Sequence, residues 1–257
     1  MEARRRLLTG VTFGSLQMQS CLAFSWLILV DEALAEAEKC YWESHEALKF
    51  PVEVLSTSGT FHLNTTNMLG AEILRRRNGA ALLLTTRLDS DDALAPDFVE
   101  VVQKEAHGRD EETFILDFPK GVVIDSRNGI PLIRPYHRSP FQTLVEKSPS
   151  RRPRTVYFDE HLRLGRHFMY FPLATQKPMW FMNVHGGNLA NRPRGWVVPA
   201  TSVPSHLRTV FGIEHVGTMK RLLWQVRVLW EYGKDVATSR APFRRILSLV
   251  RNLIAAT

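Results

Sequence analysis

Residues Ala80 to Thr86, AALLLTT, hold seven positions without a charge and run straight into Arg87 and the acids of LDSDD. An apolar stretch this short reads as a strand buried on both faces, the kind found inside α/β sheets. Ligands of such sheets bind just outside the carboxyl ends of the strands, so Asp89, Asp91 and Asp92 stand where a metal or phosphate site is expected. Asp89 and Asp91 are two apart and aim at one point if the chain stays extended, while Asp92 turns to the other side. Hard oxygen donors in that arrangement suit Mg2+ or Mn2+ shared with a diphosphate. Arg87 is either their neutralising partner or a donor to the same diphosphate.

Other readings of the acids stay open. Asp-Ser-Asp-Asp also serves as a solvated turn capping a helix that starts near Pro96. An EF-hand loop fails, because Leu94 stands where that loop needs Gly and Ala93 where it needs an oxygen ligand. An aspartate-dependent phosphotransferase or phosphatase, with Asp89 as nucleophile and Asp91 as acid, is a rival enzyme. A third class is a non-enzymatic module that rests on a membrane surface through a basic tail. The chain carries a formal charge of +7, and residues 205–257 hold nine Lys/Arg against three Asp/Glu, which accounts for nearly all of the excess. A basic end points to an anionic surface. Nucleic acid is not expected as a partner, since no aromatic and basic RNA-binding motif occurs.

At 257 residues the chain fits an α/β domain, expected over 1–203, with a basic helical C-terminal extension over 204–257. Cys21 and Cys40 lie in no metal-binding spacing and read as inert or reduced thiols in a cytoplasmic protein. Arg4 to Arg6 ahead of the apolar run Cys21 to Val30 imitate a signal peptide. Gln17 and Gln19 interrupt that pattern, and Asp31 and Glu32 separate the run from any cleavage site. The expected place is therefore the cytoplasm, with possible contact at the inner face of the membrane.

Periodicity predicts a helix from Leu7 to Gln19, a strand from Phe24 to Val30 ending at Asp31, and a helix from Ala33 to Leu48. A strand over Val52 to Ser56 and a helix from Asn64 or Thr65 to Arg77 follow, the latter stopped by Asn78-Gly79. Pro96 to Ala106 is an amphipathic helix facing inward through Phe98, Val101 and Val102. Val122 to Asp125 returns as Ile130 to Arg134 around Asn128-Gly129, a hairpin. Val156 to Phe158 reads as a strand, as does Met179 to Val184, which ends at His185-Gly186-Gly187-Asn188. A neutral imidazole is a good third ligand after two carboxylates, and glycines let backbone approach a ligand closely. Beyond Pro204, Leu222, Leu223, Val226, Leu229 and Trp230 form one helical stripe, and Phe243 to Ile254 forms another.

TTRLDSDDAL, SLQMQSCLAFSWLILVDEAL, SPFQTLVE and MWFMNVHGGNLANR together resemble the putative rhamnosyltransferase family, which is similar to GT-A glycosyltransferases that use nucleotide sugars. The resemblance runs from Phe13 to Arg192. It implies a GT-A-like, Rossmann-type mixed sheet flanked by helices. It also implies transfer of a sugar, with rhamnose suggested by the family name, from a nucleoside-diphosphate donor to the hydroxyl of a glycan or other acceptor. Members commonly place a strand before the segment matching Ser15 to Gln19, and this sequence starts after it. The resemblance assigns Asp31, Arg87, Asp89 and Asn188 to the nucleotide sugar. Asp89, Asp91 and His185 are assigned to Mn2+ or Mg2+, with Asp91 also counted as catalytic. An attacking hydroxyl must lose its proton to a carboxylate within reach. Glu146, expected at the end of a short capped helix begun by Ser139, is the first candidate, ahead of Asp159 and Glu160.

Overall fold

The computed structural model describes residues 2–45, 48–57, 61–76, 79–147, 153–185, 193, 195–213 and 217–237. Its first element is a helical rod built from α1 (Glu2–Leu7), a π-helical segment (Leu8–Phe13) and α2 (Gly14–Gln17). Strands β1 (Trp26–Asp31) and β2 (Val52–Thr57) pair in parallel, joined through α3 (Ala35–Glu43). Helix α4 (Phe61–Arg76) leads through Gly79, at φ +77°, to β3 (Leu82–Thr86). After β4 (Ala93–Leu94) comes α5 (Phe98–His107), which buries Phe98, Val102 and Ala106 at the spacing of one helix face. Val101 is only partly buried against the same core.

Two larger sheets follow. Strands β5 (Thr113–Asp117), β8 (Thr143–Lys147) and β9 (Met169–Pro172) join β3 in the order β3-β8-β5-β9. Strands β6 (Lys120–Asp125), β7 (Ile130–Pro135), β10 (Trp180–Val184) and β11 (Trp196–Val197) join β4 in the order β11-β7-β6-β10-β4. The expected hairpin is present: β6 and β7 pair with Asp125 opposite Ile130, and Gly129 takes φ +65° in the turn. Gly121 is required for another reason. A Cβ there would lie 2.0 Å from the ring of Trp180, which stacks on Phe141 at 5.0 Å and donates its Nε1–H to Phe118 O at 2.7 Å.

The architecture is α/β of the GT-A-like kind, with mixed sheets flanked by helices and a helical C-terminal stretch. Three local expectations fail. Residues 143–147 form a strand instead of continuing a helix from Ser139, because β8 sits between β3 and β5 and both neighbours supply ladders. Ser139 does cap, but what it caps is a turn: its Oγ–H bonds Asp117 at 2.5 Å and its oxygen accepts Phe141 N–H. Val156 to Phe158 is a turn, tied down by Val156 N–H to Thr85 Oγ1 at 2.8 Å. β3 itself is half-buried along its length, and among the described residues it pairs on one side only.

The C-terminal region divides in character. Helix α6 (Ser205–Val210) and the residues after it place Leu207, Phe211 and Ile213 in the main core. Helix α7 (Thr218–Ala237) touches the body through Trp224 and through Gln225, which accepts Val197 N–H at 2.6 Å. Its expected apolar stripe, Leu222, Leu223, Val226, Leu229 and Trp230, is exposed, contrary to packing on the domain. The second stripe, Phe243 to Ile254, lies outside the described residues. No helix among the described residues is long and apolar enough to cross a membrane.

Candidate functional site

At the carboxyl end of β3 the cross-strand pair Thr86 Oγ1 and Thr143 Oγ1 meets at 2.6 Å, and beyond it the chain turns instead of staying extended. Asp92 N–H donates to Asp89 O at 3.2 Å across that turn. The three acids consequently diverge. Asp89 faces Arg87, whose Nε lies 3.1 Å from Oδ1. Asp91 faces His185, with Oδ2 2.9 Å from Nε2. Asp92 lies apart from both, is buried, and accepts Asn183 N–H at 2.8 Å. Burial, followed by the charges of Asp91 and Asp89, pushes its carboxyl well above the ordinary range.

The helical rod fastens this turn from behind. Thr12 Oγ1 donates to Asp92 O at 2.9 Å, and Ser15 Oγ accepts Leu94 N–H at 3.3 Å. Gln19 donates to Ala95 O at 2.7 Å and accepts Val99 N–H at 3.1 Å. The acids therefore sit on a braced backbone while Asp89 and Asp91 keep partly exposed side chains.

A loop over residues 153–161 closes the other side. Thr155 takes φ +60°, rare for a β-branched residue, and is held there from below. The clamp is Glu146: its carboxylate accepts Arg154 N–H at 3.1 and 3.2 Å and Thr155 N–H at 3.3 Å. Glu146 lies in β8, 4% exposed. This corrects its expected position on an accessible helix end, and leaves it poorly placed to meet an acceptor hydroxyl.

The loop brings two residues that sequence reasoning passed over. The Arg87 guanidinium stands 5.8 Å from the Tyr157 ring. Burial raises the Tyr157 hydroxyl above its usual range, with Asp89 adding to the effect and Arg87 opposing it. His161 is half-buried, 6.5 Å from the Tyr136 ring, and its buried Nε2 has no hydrogen-bond partner among the described residues. Burial first and Arg87 second lower its pKa, opposed by Asp89 and Glu160, so the imidazole is neutral at neutral pH. No motif flags either residue; only the clamp between β8 and the loop puts them beside Arg87.

The remaining expected residues sort as follows. Asp31 closes β1 and its Oδ1 accepts Ala33 N–H at 3.0 Å, a capping role. Asp159 binds His167 at 2.9 Å. Burial would raise its pKa, but the Glu160 N–H and His167 hold it below the ordinary range. Glu160 is exposed beside Arg163. Asn188 lies outside the described residues. Of the three proposed metal ligands, Asp91 and His185 come together, whereas Asp89 engages Arg87. Among the described residues no three His, Cys, Asp or Glu side chains converge as a metal site.

Comparison with known proteins adds one match. A family model described as putative rhamnosyl transferase matches residues 1–196, ending at β11. No curated protein matches the chain.

Proposed function

The chain belongs to the putative rhamnosyl transferase family, and is thus a glycosyltransferase; on that premise we propose that it moves a sugar from a nucleoside-diphosphate donor to an acceptor hydroxyl at the carboxyl ends of β3 and β10. The observation carrying this reading is the Asp91–His185 contact at 2.9 Å, made between residues 94 positions apart. An oxygen and an imidazole nitrogen side by side, on a backbone braced by Thr12, Ser15 and Gln19, are a suitable pair for Mn2+ or Mg2+. The fit is partial, since Asp89 would have to leave Arg87 to join them. A bound divalent ion would offset charge growing on the departing diphosphate.

Arg87 then serves the diphosphate, and Asp31 lies at the matching end of β1 for the nucleoside. Since Glu146 is committed to the loop, His161 is the better candidate to take the acceptor's proton: it is neutral, half-buried and electrostatically coupled to Arg87 and Asp89. The exposed stripe of α7, flanked by the exposed Lys220 and Arg227, fits peripheral contact with anionic lipid.

The test is thermal-shift screening of nucleoside diphosphates with and without Mn2+. A ligand bound at about 100 times its Kd adds about 2.7 kcal/mol to stability. Asp91→Asn and His185→Ala should each abolish the metal-dependent part of the shift and keep the unliganded Tm within about 3 °C, the scale of a surface change. No shift from any diphosphate with metal would overturn the reading.

A further inference from the structure

Along β8 successive side chains face opposite sides of the sheet. Val145 points into the main core, Leu144 into the smaller cluster with Ile115, Val156, Leu164 and Phe168, and Glu146 toward the loop over residues 153–161. Phe141, stacked on Trp180 in the main core, and Thr143, against Thr86, keep the alternation going. Gln142 therefore shares the face of Leu144 and Glu146. The pairs Thr86↔Thr143 and Leu116↔Thr143, carried one residue further, set it between Arg87 on one side and Asp117 on the other. This is the end of the sheet at which the candidate site lies.

Gln142 is 1% exposed, and neither its carbonyl oxygen nor its NH2 group has a hydrogen-bond partner among the described residues. An amide carries an acceptor and two donors, and protein interiors rarely leave such groups unmet. Its charged neighbours are already matched. Arg87 faces Asp89 at 3.1 Å. Asp117 accepts Ser139 N–H at 3.0 Å, Ser139 Oγ–H at 2.5 Å and the Tyr170 hydroxyl. What remains at this point is an uncharged group that both donates and accepts. A sugar hydroxyl does the same, and two neighbouring hydroxyls can bond the oxygen and the NH2 together, whereas a phosphate or carboxylate finds no charge here. His161 Nε2, buried and likewise without a partner among the described residues, is coupled electrostatically to the same Arg87. The apolar cluster over Leu144 gives way here to Arg87 and His161, both partly exposed, so the amide lies one residue in from the open end of the sheet.

We propose that the Gln142 amide binds ring hydroxyls of the sugar carried by the donor, next to the diphosphate on Arg87. The inference rests on the donor reading above and adds to it the residue that recognises the sugar. Removing the amide then weakens the sugar nucleotide and spares the bare nucleoside diphosphate.

The test is calorimetric titration of the full chain and of Gln142→Met, with Mn2+ present. Met keeps the length of the side chain and removes its hydrogen bonding. The probes are UDP, GDP and dTDP, then UDP-glucose, GDP-mannose and dTDP-rhamnose, and for the conjugate that binds, its 2-, 3- and 4-deoxy analogues. Gln142→Met should weaken the conjugate at least about tenfold and keep the free diphosphate within about twofold. Tm should hold or rise, because an unmet polar group leaves the interior. At least one deoxy analogue should bind the unmodified chain about tenfold more weakly than its parent, and that deficit should vanish in Gln142→Met. Equal loss for conjugate and free diphosphate, or no loss for either, overturns the proposal and leaves the donor reading standing; the second result is what an amide serving only a buried water gives. No binding of any diphosphate by the unmodified chain overturns both. If Gln142→Met does not fold, the unmodified chain still decides: deoxy analogues that all bind as their parent overturn the proposal, and one that binds about tenfold more weakly supports it.

Discussion

Replacing Glu146 by Gln separates an anchoring carboxylate from a catalytic one. Two backbone N–H groups, from Arg154 and Thr155, converge on its oxygens at 3.1 to 3.3 Å in a buried setting. A carboxamide keeps the shape, and with its oxygen in the place of Oε2 it still accepts both N–H groups, but its NH2 then stands 3.1 Å from the Arg154 N–H, donor against donor. That opposition forfeits part of the roughly 1–3 kcal/mol a buried donor is worth, and losing the charge weakens both bonds that remain. Taken together the cost is about 2–3 kcal/mol. For a chain of this length each kcal/mol moves Tm by about 2–4 °C, so the Gln variant should melt about 5–10 °C lower. Differential scanning fluorimetry reads that directly. Release of nucleoside diphosphate from the donor, assayed well below the new Tm, should persist within about tenfold, because the group lost does no proton transfer. Glu146→Ala frees both N–H groups and should cost about twice as much. A Gln variant with native Tm and no turnover would refute this account and return Glu146 to the role of base.

Gly121→Ala drives a methyl into an indole that is stacked on Phe141 and bonded to Phe118 O; overpacking of about 1–3 kcal/mol or more should lower the denaturation midpoint without changing its slope. His206 is half-buried, burial lowers its pKa, and neither ring nitrogen has a partner among the described residues. Unfolded His206 therefore takes up a proton first, near pH 6.5, and the folded chain loses stability as pH falls below that point. His206→Leu should flatten urea-derived stability between pH 7 and 5 by up to about 1.4 kcal/mol per pH unit; an unchanged slope would rule His206 out as a source. His161→Asn should cut turnover about 100-fold or more while Tm stays within about 2 °C, and equal turnover would remove it as the proton acceptor.

How far the sequence could be read depends on whether a residue's setting is local. The strand before the acids, the helix at Phe98 and the hairpin at Asn128-Gly129 are written in short-range periodicity and turn chemistry, and they appear where expected. Asp92 does part from Asp89 and Asp91, but through the turn closed by its N–H on Asp89 O and not through the alternation of an extended chain. The setting of Glu146 is not local: Ser139, Pro140 and Gln142 satisfy a helix-start pattern, yet β3 and β5 offer β8 a ladder on each side, and tertiary pairing overrides the cap. That override propagates. Once β8 is a strand, Glu146 points into the sheet, captures the Arg154 and Thr155 amides, and bends the chain so that Tyr157 and His161 stand beside Arg87. The half-burial of β3 has a similar origin, because seven uncharged residues announce a strand buried on both faces, while among the described residues one neighbour, β8, pairs with it. Runs that apolar are the ones usually found with both faces covered. The site at the carboxyl end of β3 is thus held by tertiary contacts more than by its own strand: α2 and β8 brace it, while among the described residues β3 keeps a ladder on one side alone.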